Sequence, residues 1–269
     1  MNDVPPGFVR GRPARVAWIA GPGIVLTGWL ALAQGPVERP VPLNAEPSHH
    51  QILANADVRL FRVEVAPRAA TQLHEHANDF VWIALGDAEI TDTARGESET
   101  RLEARDGTMT FRPRGIVHTV RNERDAPFRN VTIEFLRPQT GGRNLCGQVL
   151  RAQPLDCPSS AAAPDSGRKG HSMVPEFETD QTHISLLILE PKARFTIKAS
   201  QSPPVLVALE GTDAEALVEI KIPGGAVGKG NRPLRSGYAM EVPSGIAVEL
   251  HNSGGAPARF VVLAGHAPR

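Results

Sequence analysis

His74, His76, Asp79 and His118 have the residue types and spacing to hold a transition metal. Residues two apart on a strand point to the same face, so His74 and His76 present their imidazoles side by side. Glu75, between them, points the other way and reads as a solvated charge. His118 comes from a later segment, just past a Pro113-x-Gly115 turn. Imidazoles with one carboxylate suit Fe, Mn, Ni, Cu or Zn rather than Ca or Mg. Three or four protein ligands leave positions open for water, substrate or dioxygen, which separates a catalytic or binding ion from a structural one. A turn-capping role is the alternative for Asp79.

Strands must carry these side chains. Val58–Val65 and Phe128–Phe135 alternate apolar and polar residues, and Val205–Leu209 does so at lower contrast. Turn signals such as Arg95-Gly96, Asp106-Gly107 and Ser253-Gly254-Gly255 break the chain into short runs. No long amphipathic helical stretch follows residue 34, and the 25 Gly and 24 Pro suit many turns. The pattern favours an all-β sandwich or barrel. Among apolar residues, Phe80 or Trp82, Phe111 and Phe135 are candidates to shape a pocket, with core filling as the commoner role.

The two metal-bearing stretches resemble the cupin motifs. The second motif, G-x5-P-x-G-x2-H-x3-N, is matched at Gly107, Pro113, Gly115, His118 and Asn122. The first is matched at His74, His76 and Gly86. Arg68 stands where its leading glycine belongs. Asp79 follows His76 after two residues, where the family has Glu after three or four. The resemblance implies two tandem cupin barrels, the double-stranded β-helix or jelly-roll fold, with one divalent transition metal in the first.

A second copy is visible. Leu60–Pro67 is echoed by Leu186–Pro191, and Val81–Gly86 by Leu206–Gly211. Gly237, Pro243, Gly245 and Asn252 repeat the second motif, with Val248 where His118 stands. Counting from Pro67 and Pro191 puts Lys198 and Ser200 at the places of His74 and His76. Counting back from Gly211 puts Pro204 at that of Asp79. The copy keeps the turn residues and lacks the ligands. The expected organisation is a leader at 1–33, an arm at 34–49 and a metal-binding barrel at 50–140. A linker at 141–169 and a metal-free barrel at 170–266 follow.

Arg10, Arg12 and Arg15 precede an uncharged stretch from Val16 to Ala33 that ends in a small-x-small sequence. This order is expected of a Sec-type signal peptide cleaved after Ala33, giving a periplasmic or secreted protein. An uncleaved anchor and a buried helix are the alternatives, and the membrane would be a partner only through that segment if it is uncleaved. Cys146 and Cys157 are the only cysteines. In an exported chain they read as a disulfide worth about 3 kcal/mol, the competing readings being a metal site, which lacks nearby ligands, and two idle thiols.

With 29 basic and 29 acidic residues the net charge is zero, and no basic patch suggests nucleic acid. The expected partners are a small-molecule ligand or substrate and a second copy of the chain. Three functions remain open. One is a metal-dependent enzyme, foremost an oxidoreductase of dioxygenase type, with isomerase or lyase as variants. The others are a non-catalytic binding or sensing protein and an assembly module with a structural metal. Glu134, inside a strand, is the candidate catalytic base behind the metal ligands, with a paired carboxylate as the default. Arg112, Arg114 and Arg121 are candidates to face an anion, with surface solvation the commoner fate.

Overall fold

The computed structural model describes residues 39–144, 149–150, 170–198, 203–212, 214–221, 227–244 and 246–265, all within one compact unit, Glu38–Arg269. The expected leader and both cysteines lie outside the described residues. The described chain is all-β, with one 3-10 turn at Leu43–Ala45.

The first half contains β1 (Val41–Pro42), β2 (His49–Ala54), β3 (Val58–Val65), β4 (His74–His76) and β5 (Asp79–Ala84). It continues with β6 (Ala88–Ala94), β7 (Thr100–Ala104), β8 (Met109–Arg112), β9 (Ile116–Asn122) and β10 (Phe128–Phe135). One sheet has the order β1-β4-β9-β6-β7 and the facing sheet runs β8-β5-β10-β3-β2, with Val149–Leu150 added beside β8. The strands therefore begin ahead of residue 50, and segments of the expected linker join sheets: Arg143–Asn144 pairs with His171–Glu178 of the second half.

That half repeats the design with a six-stranded and a four-stranded sheet. Its larger sheet packs on the larger sheet of the first half. Leu60, Val81, Ile83, Val131, Ile133 and Phe135 form one core with Ile184, Val205, Val207, Leu209, Val261 and Leu263. Strands in these sheets are buried on both faces, which explains the weak alternation of Val205–Leu209. In β5, Val81 and Ile83 meet the other half, while Phe80, Trp82 and Ala84 face into their own barrel. Phe111 stacks on Phe177 at 5.1 Å, and Phe135 sits in the shared core. Of the aromatic residues considered for the pocket, only Phe80 and Trp82 thus point inward.

The repeat is visible in backbone detail. Gly107 and Gly237 have φ of +81° and +74°. A Cβ on Gly107 would lie 3.0 Å from Leu209 of the opposite half, and one on Gly237 would lie 3.0 Å from Leu85. Left-handed backbone and close approach both demand glycine there. Arg68 itself has a φ of +59°, the conformation that a glycine at this place would adopt freely, and Lys192 mirrors it at +65°.

Hydrogen bonds correct the register of two echoes. Gly107 N donates to Ala84 O and Gly237 N to Ala208 O, so Ala84 matches Ala208 and Val81 matches Val205. Ile90 and Ala214 pair with Asn122 and Asn252, so the turns after Ala84 and Ala208 are equally long. Glu210 stands at the place of Gly86, and Pro203 rather than Pro204 falls at the place of Asp79. His74 pairs with His118, whereas Val248 pairs with Ile197 rather than Lys198. Ile197 thus takes the place of His74. Ser200, counted as the counterpart of His76, lies outside the described residues.

Candidate metal centre

Antiparallel pairing of β4 with β9 sets His74 directly opposite His118. His74 and His76 are buried and Glu75 is exposed, as the period of a strand requires. Gly115, at φ +83°, makes the turn into β9 and donates its N–H to His76 O at 2.7 Å. A fourth imidazole arrives from the facing sheet: His49, the first residue of β2. One ring nitrogen of each of His49, His74 and His76 lies within 4.8 Å of the others. The His118 ring is 4.6 Å from that of His74 and 5.1 Å from that of His76, centroid to centroid.

Hydrogen bonds behind the cluster fix the tautomers of three rings. His74 Nδ1 donates to the Gln72 carbonyl at 2.8 Å, His118 Nδ1 to Asp92 Oδ1 at 2.8 Å and His49 Nδ1 to Glu46 Oε2 at 2.6 Å. Each acceptor takes a hydrogen bond from Nδ1–H, so the lone pair is left on Nε2, one of the two ring nitrogens through which imidazoles bind metals. His118 Nε2 and His76 Nδ1 are buried without a hydrogen-bond partner among the described residues. Buried ring nitrogens left open in this way fit the donor set of a metal. Burial, and then the nearby His118, push the His74 imidazolium pKa down to about 3; the same causes hold His76 well below its ordinary value. His74 and His76 are therefore neutral at neutral pH and ready to ligate. Burial pushes the Asp92 carboxyl up, but His118 and Arg112 outweigh it and hold the group ionised.

Asp79 does not join the cluster. The residue begins β5 on the face opposite Phe80. Its Oδ1 accepts the Arg114 N–H at 2.8 Å and its Oδ2 the Gln139 N–H at 2.7 Å. Asp79 therefore clamps the turn before β9, the capping alternative raised for it. Phe80 takes the inward position and stacks on His76 at 3.7 Å. Glu134 is buried and faces inward, but it pairs with Arg59 Nη2 at 2.7 Å, and burial raises its pKa against that pairing. Arg112 is buried and bonded to Asp92, whereas Arg121 pairs with Glu123 at 2.8 Å. Arg114 is half exposed, with its guanidinium 3.7 Å from Asp79.

His49, Glu46 and Asp92 are functional candidates outside both motifs. The only sequence signal for His49 is its apolar-free neighbourhood, Ser48-His49-His50, which carries no ligand spacing. The cluster opens on a cavity of about 430 Å³, a volume that includes its mouth. Val63, Val65, Phe80, Trp82, Leu102 and Phe128 line it, and besides the histidines and Asp92 its polar groups are Thr71, Asn130 and Thr132. Phe128 meets Trp82 edge-on at 5.9 Å.

No protein-family model and no curated protein matches the sequence. Solved structures do. The structure of AerE from Microcystis aeruginosa is similar at 13% identity and TM-score 0.53, over 82% of this chain and 99% of that one. A vicilin from Capsicum annuum matches at 11% identity and TM-score 0.52, over 79% of this chain and 76% of that one. An oxalate decarboxylase matches at 12% identity and TM-score 0.51, covering 82% and 77%. At such identities the likeness is one of fold. Four sheets in two cupin-like units give the chain a bicupin fold, with a buried histidine cluster in the first barrel.

Proposed function

We propose that the protein is an exported, metal-dependent oxidoreductase of dioxygenase type, acting on a small organic substrate held in the first barrel. The observation that supports it is the cluster of buried imidazoles, oriented by Glu46, Gln72 and Asp92, at the end of a cavity with an apolar wall. Fold does not decide between activities, since the matched structures include both a decarboxylase and a vicilin. A bound Fe, Mn, Ni or Cu ion would supply Lewis acidity and one-electron chemistry.

The chain's own residues supply the rest. His74, His76 and His118 would hold the ion. Asp92 holds the proton on His118 Nδ1 and, with Arg112, fixes the ring plane. Phe80, Trp82 and Phe128 exclude water and accept a flat apolar body. Thr132 donates to Asn130 Oδ1 at 2.9 Å, which turns the Asn130 amide nitrogen into a positioned donor for a substrate oxygen.

One observation favours a binding or sensing role instead. Asp92 is the only carboxylate among the described residues lining the cavity, and it is engaged by His118 and Arg112. The two readings part in one experiment. The protein is loaded with Fe(II), Mn(II), Ni(II) or Cu(II) and offered phenolic, enolic and diketone compounds while oxygen is followed. Oxygen uptake above that of His118→Ala is expected. Ligand binding with no uptake replaces the enzyme by the sensor.

A further inference from the structure

We infer that His49 is a direct metal ligand, completing an all-imidazole shell with His74, His76 and His118 in place of a set containing a carboxylate. The inference rests on the metal reading of the cluster and goes further, to the charge of the site.

Three independent features converge on His49. Its ring nitrogen lies within 4.8 Å of those of His74 and His76. Metal–nitrogen bonds of about 2.0–2.1 Å put neighbouring donors roughly 3–4 Å apart, so a small contraction around an ion closes these three. His118 lies outside that group of three, its ring 4.6 Å from that of His74 and 5.1 Å from that of His76, and joins by a further movement of its ring. Secondly, the ring is held by a dedicated carboxylate. Glu46 is 2% exposed, and its Oε2 accepts both the His49 Nδ1–H and the Ser48 N–H, at 2.6 and 2.8 Å. Its Oε1 accepts the Gln72 N–H at 3.1 Å, and Gln72 O in turn orients His74. One buried carboxylate therefore aims two imidazoles from two facing sheets, a carboxylate–histidine arrangement that tunes metal ligands. Thirdly, no carboxylate among the described residues competes for the place. Asp79 is spent on two backbone N–H groups on the opposite face, and Phe80 fills the inward position.

The chemical consequence is specific. Four neutral ligands leave a divalent ion with its full double charge inside an apolar barrel. Glu46 and Asp92 offset that charge only from behind the imidazoles, and Arg112 opposes them. An anionic donor is therefore the preferred exchangeable ligand: a carboxylate, enolate or phenolate rather than a neutral ketone or amine.

The test loads chelator-stripped, full-length protein with Cu(II) and reads nitrogen superhyperfine structure by electron paramagnetic resonance, with affinity from chelator competition. Wild type should show four equatorial nitrogens. His49→Ala should lose one and bind about 100-fold more weakly, and Glu46→Gln should weaken binding about 10-fold with the nitrogen count kept. Asp79→Ala should change affinity less than about twofold. His49→Glu, a variant that returns a carboxylate, should keep one equivalent of copper with three nitrogens, which decides the matter if His49→Ala fails to fold. Unchanged spectra and affinity in both His49 variants, with copper lost in His76→Ala, would overturn the inference and leave the metal reading intact. Wild-type protein that binds no copper, nickel or zinc would overturn both.

Discussion

The two barrels share a backbone design and differ in what fills them. Asn122 shows what was retained. Its side-chain nitrogen donates to Val65 O, Ala66 O and Ala126 O at 3.2, 3.1 and 2.8 Å. Asn252 does the same for Leu189 O and Ala256 O at 2.9 and 2.8 Å. These asparagines tie a strand end to the neighbouring turn and have no part in metal chemistry. The interiors diverge. Where the first barrel has His74 opposite His118 beside a cavity, the second has Ile197 opposite Val248, packed among Leu187, Leu206, Leu250 and Phe260. A motif can thus outlive the chemistry it frames, because its turn glycines and asparagine serve the fold.

This contrast is most sharply broken by forcing ligands into the filled barrel. Ile197→His with Val248→His should bind no metal and lose about 5 kcal/mol of stability in chemical denaturation, because aliphatic packing is removed and two imidazoles are buried without partners. Metal uptake by that variant would show the second interior to be a dormant site.

Acid should separate the barrels next. The His74 pKa is about 3 when folded and 6.5 when unfolded. Between these values the unfolded chain binds more protons, so the stability of metal-free protein rises with pH from 3 and is fully present above 6.5. Conversely, acidification through that window should cost several kcal/mol. His74→Leu should flatten the pH profile of urea midpoints, whereas Val248 substitutions should leave its slope unchanged.

The shared asparagines predict equality. Asn122→Ala and Asn252→Ala should each lower stability by about 2 kcal/mol, since each leaves buried carbonyls unpaired. A large excess at one position would break the equivalence of the halves. The smallest effect is reserved for Asp79. Asp79→Ala should cost about 1–2 kcal/mol through the freed Arg114 and Gln139 N–H groups, with little change in metal content by elemental analysis.

Asp79 and His49 also mark how far the sequence could be read. The strands, the duplicated turns and the inward-facing pair His74 and His76 follow from period and punctuation. Asp79 misleads because a single residue decides a face: β5 begins at 79, so a carboxylate placed one residue later would point inward where Phe80 stacks on His76. His49 is invisible for a different reason. It comes from the facing sheet, ahead of the expected barrel, and no spacing in sequence encodes the closure of two sheets. The one-residue slip in the second echo has a local origin: Glu210 takes the place of Gly86, and matching glycine to glycine through Gly211 shifts the register by one.

The face on which the two larger sheets meet has an evolutionary consequence. In an isolated barrel the outer surface is free to vary and the interior is constrained. Here the second barrel has the reverse freedom at its former ligand positions: its inside needs only apolar volume. Its outward-facing Val205, Val207, Ile184 and Leu263 must match Val81, Ile83 and Phe135 of its neighbour. Sequence drift in the copy is therefore expected to pass through the hollow before it touches the rind.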